Sequence, residues 1–202
     1  MPASTPDIFL GRQPIFDRER RVIAHELLFR GAPDSDGAHV TDDARATRQV
    51  VDRAFRELGI RTVVGKSRAF VNLCGESLMS RMVETLPPEQ VVLEILETVD
   101  IDERIVQRCR ELRKKGYRLA LDDVFRYSAA SEPLFDIVDI VKIDVLLVEP
   151  GALGTLVKRL RLHDARLLAE KVDCRERARE CLDLGFDLFQ GFFFGRPMTL
   201  GA

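Results

Sequence analysis

A chain of 202 residues with 46% hydrophobic and 32% charged residues reads as one soluble globular domain, long enough to bury a sizeable core. Its 31 basic and 33 acidic residues leave a net charge of −2, which argues against a nucleic-acid polymer as partner, and no apolar run approaches membrane-spanning length. The start, MPASTPDIFLG, lacks a basic n-region and a long apolar h-region, and Cys74, Cys109, Cys174 and Cys181 show no CxxC spacing, so the cysteines read as reduced, partly buried thiols of a cytoplasmic protein.

Residues 1–7 read as a tail. IFLGRQPIFD and VIAHELLFRG, separated by the charged turn Arg18 to Arg21, predict an antiparallel strand hairpin. A Gly, Asp and Ser-rich loop follows, then a helix from about Asp42 to Leu58 with Ala46, Val50, Ala54 and Leu58 on one stripe and Gly59 as its stop. From there strand and helix alternate: SRAFVNLC and GESLMSRMVETL, VVLEILE and DERIVQRCRELRKKG, YRLALDD and a short helix near SEPLFDI. DIVKID and EPGALGTLVKRLRLH, ARLLAEKV and CRERARECLDLG, and a last strand and loop in FDLFQGFFFGRP complete the series. Six such strands after a hairpin predict an α/β fold, a closed (β/α) barrel with short helices, over an open doubly wound sheet, which would want a GxGxxG turn that is absent.

Each predicted strand ends on a polar residue: Glu26, Asn72, Glu94, Asp122 with Asp123, Lys142, Glu170 and Gln190. In a parallel barrel such ends converge on the C-terminal face. An antiparallel first strand would bring Glu26 in from mid-strand. Carboxylates and an amide without Cys or His form an all-oxygen set, suited to Mg²⁺ or Mn²⁺ over Zn²⁺. The adjacent aspartates leave a strand end pointing different ways and suit a pair of ions roughly 3.5–4 Å apart. Lys142 can neutralise developing charge, Glu170 can accept a proton, and Arg30 offers a planar fork for a phosphate oxygen. The plainer alternative is structural: Asp123, Glu97 and Asp144 as caps, Lys142 paired with Asp122 or Glu170. His25 and the run Phe192 to Phe194 read as wall residues, and Arg104 to Lys115 as a solvated helix face.

These motifs, in this order, resemble the bacterial EAL domain, the cyclic-di-GMP phosphodiesterase family: RQPIFD, HELLFR with Leu27 where Ala is usual, FVNLC, LEILE, LDD, VKID, LLAEKVD and FQGFFFGRP. The resemblance implies a modified (β/α)8 TIM-like barrel with an antiparallel first strand, spanning 1–202 as a single EAL-like domain. It implies a Mg or Mn site on Glu26, Asn72, Glu94, Asp122 and Asp123, with two ions as one option. Lys142 and Glu170 would flank the attacking water. Gln13, Arg30 and Gln190 would contact cyclic di-GMP, with Glu97 and Asp144 supporting the site.

The sequence departs from the family after the Asp pair. VFRYSAA stands where FGxGYSS is usual, without its glycines and one residue shorter, in a loop that in the family orders the metal site and the dimer interface. Lys171 replaces the Gly after Glu170, and Asp173 replaces the next Glu. These departures resemble the variant subclass in which an EAL domain precedes an HDOD domain. The expectation is therefore a cytoplasmic cyclic-di-GMP signalling module with weak or absent phosphodiesterase activity. Its alternatives are an active Mg or Mn enzyme making linear pGpG, and an interaction scaffold that binds no nucleotide. A C-terminal HDOD domain, a protein partner and a dimer are all compatible with it.

Overall fold

The computed structural model describes residues 9–30 and 43–200; the predicted tail and the loop expected after Gly31 lie outside the described residues. The described residues form nine strands: β1 (Phe9–Asp17), β2 (Val22–Arg30), β3 (Arg68–Leu73), β4 (Val91–Ile95), β5 (Arg118–Val124), β6 (Ile140–Asp144), β7 (Arg166–Glu170), β8 (Leu188–Phe189) and β9 (Met198–Leu200). Seven α-helices lie between them: α1 (Asp43–Val51), α2 (Ile60–Val64), α3 (Gly75–Met79), α4 (Glu103–Lys114), α5 (Glu132–Phe135), α6 (Leu153–Leu160) and α7 (Arg175–Asp183). β2 through β8 pair in parallel, and β1 closes the ring by pairing antiparallel with both β8 and β2. The result is the eight-stranded barrel with a reversed first strand, and the open sheet is excluded. Glu26 enters from mid-strand, as expected, although the reversed strand is β1 and Glu26 lies on β2, opposite Gln13.

Side-chain alternation explains the interior. Ile15, Ala24, Phe70, Val92, Ala120, Ile140, Leu168 and Leu188, one from each barrel strand, form a buried cluster separate from the larger core between strands and helices. A strand repeats its facing every two residues. Two positions further toward the mouth stand Gln13, Glu26, Asn72, Glu94, Asp122, Lys142 and Glu170 on their strands, and Gln190 just past the end of β8. The apolar layer is thus a plug, and the candidate site is the next layer up, as barrel interiors are built.

Several local expectations are corrected. The helix expected over 42–58 is α-helical to Val51 and π-helical over Asp52–Glu57, with Leu58 N donating to Arg53 O at 3.0 Å. The helix expected in GESLMSRMVETL breaks at extended Ser80, whose Oγ accepts from Met82 N, leaving α3 and a 3₁₀ turn at Arg81–Thr85. α6 begins only at Leu153, after Gly151 turns at φ 80°. Short α2 and β9, which pairs with β1, were not expected; each is too short to carry a periodic signal. Cys174 is exposed, and all four cysteines are free thiols.

Arg108 corrects the solvated reading of its helix. It is buried, donating to Leu78 O at 3.0 Å, Ser80 O at 3.2 Å and Glu84 at 2.9 Å, while Lys115 reaches the other oxygen of Glu84 at 2.6 Å. Hydrogen bonds from Lys115 and then Arg108 hold the Glu84 carboxyl down to about 2. A depressed carboxyl stabilises the fold above its ordinary value near 4.5, and that contribution is lost as pH falls toward about 2. Denaturant unfolding of Glu84→Gln should therefore show a deficit against the parent chain at pH 6 that shrinks steadily below pH 4.5; a deficit that does not change with pH would remove Glu84 from the acid response.

Candidate active site at the barrel mouth

Lys142 is the centre of the polar layer. Its side chain is 1% exposed, and its Nζ pairs with Glu94 Oε1, with Asp122 Oδ1 at 2.8 Å, with Glu170 Oε1 at 3.0 Å and with Glu26 Oε2 at 3.8 Å. One ammonium faces the carboxylates of four strands, so the layer carries excess negative charge out of water. Burial pushes Glu94 and Glu170 well above the ordinary carboxyl range, and the charge of Asp122 adds to the rise in both. Burial opposes ionisation of Asp122 too and is the largest single influence on it, but the charge and hydrogen bond of Lys142 together with hydrogen bonds from Glu94 and Glu170 outweigh it and bring that carboxyl down to about 2. Lys142 is raised: burial works against its charge, and the surrounding carboxylates more than compensate.

The amides extend the network. Asn72 Nδ2 donates to Glu26 Oε1 at 3.2 Å, and Gln190 Nε2 donates to Glu26 Oε2 at 2.6 Å and to Gln13 Oε1 at 3.2 Å. Gln13 Nε2 in turn donates to Gly195 O at 3.1 Å. Gly191 fixes Gln190 in place: at φ 147°, a Cβ there would stand 2.2 Å from Val172 O and 2.3 Å from Val172 N. Among the described residues, Asn72 Oδ1, Glu94 Oε2 and Gln190 Oε1 are buried without a hydrogen-bond partner. Unpartnered buried acceptors beside an excess of carboxylates fit an oxygen-ligated divalent cation. Glu94, Asp122 and Glu170 bring ligand oxygens within 4.8 Å of one another, as do Glu97, Asp122 and Asp123.

Asp122 and Asp123 do not point apart. β5 pairs Leu121 with Val141 and Val124 with Ile143, so both aspartates stand opposite Lys142 alone. This bulge, with Asp123 at φ 47°, turns the second carboxylate back toward the mouth. Sequence reading missed it because a strand without a bulge alternates. Asp144 acts as a turn cap, its Oδ1 accepting from Leu146 N at 2.9 Å and Leu147 N at 3.2 Å. Glu97 is exposed on the turn after β4.

Above the polar layer opens a cavity of about 620 Å³ lined by Gln13, Glu26, Arg30, Asn72, Asp122, Asp123, Lys142, Glu170 and Gln190, among others. Arg30 is buried on its wall; Gly11 gives it room, since a Cβ there would meet Arg30 Nε at 3.1 Å. His25 points away, with Nδ1 3.0 Å from Ser67 Oγ, as a wall residue should. Phe193 and Phe194 pack against the core, but Phe192 is exposed on the cavity rim with Arg196 over its ring, which sequence reading did not anticipate. Among the described residues none of 124–130 lines the cavity. Tyr127 instead bonds Glu132 at 2.8 Å, packs on Phe135 and lies under Arg159, 3.6 Å from its ring centre.

A family model described as the EAL domain matches residues 7–197. The chain belongs to the EAL family. It is 36% identical over 199 residues to the uncharacterized protein YuxH of Bacillus subtilis, covering 96% of this chain and 48% of that protein. It is 36% identical over 191 residues to the cyclic di-GMP phosphodiesterase CdgJ of Vibrio cholerae, covering 94% of this chain and 44% of that protein. The chain thus spans about half the length of these relatives. The fold is shared with Bacillus subtilis YkuI, a structure with an EAL domain in complex with substrate cyclic di-GMP and calcium, at a TM-score of 0.74 and 21% identity over 97% of this chain and 57% of that one. No described helix is long and apolar enough to cross a membrane.

The ammonium of Lys142 is what keeps these carboxylates tolerable. Lys142→Met should lower unfolding free energy by about 3 kcal/mol or more at pH 8 in chelator, the scale for stripping one partner from a buried ion pair. The deficit should shrink at lower pH, where the stranded carboxylates take up protons. A loss below about 1 kcal/mol would show that the cluster does not depend on Lys142.

Proposed function

We propose that this EAL chain binds cyclic di-GMP at the barrel mouth together with a divalent cation, Mg²⁺ or Mn²⁺, and hydrolyses it weakly or not at all, so that its role is regulatory. The observation that supports a cation-dependent phosphodiester site is the inward ring of oxygens in which buried Glu94 Oε2 and Asn72 Oδ1 have no partner. Glu26, Asn72, Glu94 and Asp122 would hold the cation, and Asp123 would be shared with a second ion where one is bound. When bound, such an ion polarises a phosphoryl oxygen and neutralises developing charge.

Position supports the remaining roles. Arg30, Gln13 and Gln190 line the cavity and offer the planar fork and amides that a dinucleotide phosphate and its neighbours accept. Lys142 and Glu170 flank the space for the attacking water, and burial raises the Glu170 carboxyl, which makes its carboxylate the stronger proton acceptor. Glu97 and Asp144 support the rim. The cavity lies within the usual volume of small-ligand sites, roughly 300–1,000 Å³.

Weak turnover is supported by the segment after Asp123, which lacks the family's glycines and contributes no side chain to the cavity wall. The complete set of oxygen ligands supports a second reading, an active Mg or Mn phosphodiesterase that opens cyclic di-GMP to linear pGpG. The same altered segment supports assignment to the EAL–HDOD subclass, with a C-terminal HDOD domain or a protein partner receiving the signal in the cytoplasm. Exposed Phe125 in that segment supports a dimer contact there.

Chromatography of cyclic di-GMP incubated with purified chain and Mn²⁺ should yield little or no pGpG, while calorimetry detects binding. Glu26→Ala and Asp122→Ala should each weaken cation affinity by at least about tenfold and abolish residual product. Robust turnover would overturn the weak-enzyme reading in favour of the second. Absence of nucleotide binding would leave a protein-interaction scaffold.

A further inference from the structure

We propose that Lys171 is a tethered cation that occupies the Asp123 side of the mouth, so that this chain takes up one divalent ion rather than two. The inference rests on the reading of the mouth as a divalent-cation site and goes beyond it by naming the residue that sets the ion count.

The two acidic groups at the mouth are not equivalent. In the inner one, Glu94, Asp122 and Glu170 share Lys142, yet Glu94 Oε2, on a side chain that is 0% exposed, keeps no partner, and the amide oxygen of neighbouring Asn72 keeps none either. That group retains coordinating oxygens. In the outer one, the ammonium of Lys171 covers both oxygens of Asp123, at 3.1 and 3.4 Å, and also pairs with Asp144 Oδ2. Asp144 is 1% exposed, and its other oxygen is committed to the Leu146 and Leu147 amides. A positive charge already stands where a second ion would share Asp123, and an incoming cation would have to displace it against like-charge repulsion.

Backbone conformation is the independent observation. Among the described residues, only Arg20, Asp123 and Lys171 adopt positive φ without being glycine. Two of these three are the partners in this ion pair, Asp123 at φ 47° and Lys171 at φ 54°. A left-handed conformation is unfavourable at a residue such as lysine, and less so at aspartate. Lys171 directly follows β7, beside Glu170, and its side chain crosses to Asp123 on β5 and Asp144 on β6. Left-handed backbone on both sides of one contact, with the lysine side unfavourable, marks it as held in place by the surrounding fold.

The test is Mn²⁺ alone, counted per chain by equilibrium dialysis and by paramagnetic resonance, on the parent chain, Lys171→Gly, Lys171→Met and Lys171→Gly/Asp123→Asn. Glycine suits the left-handed position, so Lys171→Gly relieves backbone strain and is expected to fold; circular dichroism checks this. Lys171→Met keeps the side-chain length without the charge. The expected result is one Mn²⁺ in the parent chain, two with a spin-coupled signal in Lys171→Gly and Lys171→Met, and one again in the double variant. Two ions in the parent chain, or one in both single variants, would overturn the role of Lys171 and leave the divalent site intact. No Mn²⁺ in the parent chain and none in the variants would overturn the site itself and this inference with it.

Discussion

One buried ammonium organises this protein. Lys142 stands on β6 with Glu26, Glu94, Asp122 and Glu170 around it, all directly above a plug of apolar side chains. Water is excluded from below by the plug, and among the described residues Lys142 and hydrogen bonds from Asn72 and Gln190 help to compensate the carboxylates. Burial pushes Glu94 and Glu170 upward, helped by the neighbouring carboxylates, while Asp122, most favoured by Lys142 and its hydrogen bonds, is held down. A layer of this kind is poor as a purely structural device, since well-packed apolar residues would be at least as stable.

Barrel closure makes the layer possible. Eight strands deliver one inward residue each at one height, and β1, although reversed, still brings Gln13 to the level of Glu26 through its register with β2. The short helices leave this geometry intact because the strands, not the helices, carry the site. Departures from ideal geometry gather at the mouth: the bulge at Asp122 and Asp123, the left-handed Lys171, and the close approach of Gly191 to Val172. Strain placed beside a polar cavity reads as selection for function over local stability. The segment after Asp123 turns outward instead, held by Tyr127 between Phe135 and Arg159.

The family follows from the match over residues 7–197, and the fold agrees with it. Most of the fold and most of the layer were legible in the chain. The strand–helix alternation from Arg68 onward and the hairpin before it define the barrel, and the polar residue ending each apolar run marks the mouth. Short pieces such as α2, β9 and the break at Ser80 were not legible, because segments of three to five residues carry too little periodicity to separate them from loop. Arg108 sat within an apparently solvated run, yet three backbone or carboxylate partners bury it; those partners lie far away in the chain.

By itself, then, the sequence determined which residues share a face. Period-two alternation links Ala24 to Glu26, Val92 to Glu94, Ile140 to Lys142 and Leu168 to Glu170 before any coordinates exist. The tertiary structure alone decided which of them meet. Registry between strands sets all eight at one level, a bulge that no local propensity announces turns Asp123 inward, and a left-handed backbone sends Lys171 across two strands to reach it. These are relations between distant segments, fixed by how the barrel closes.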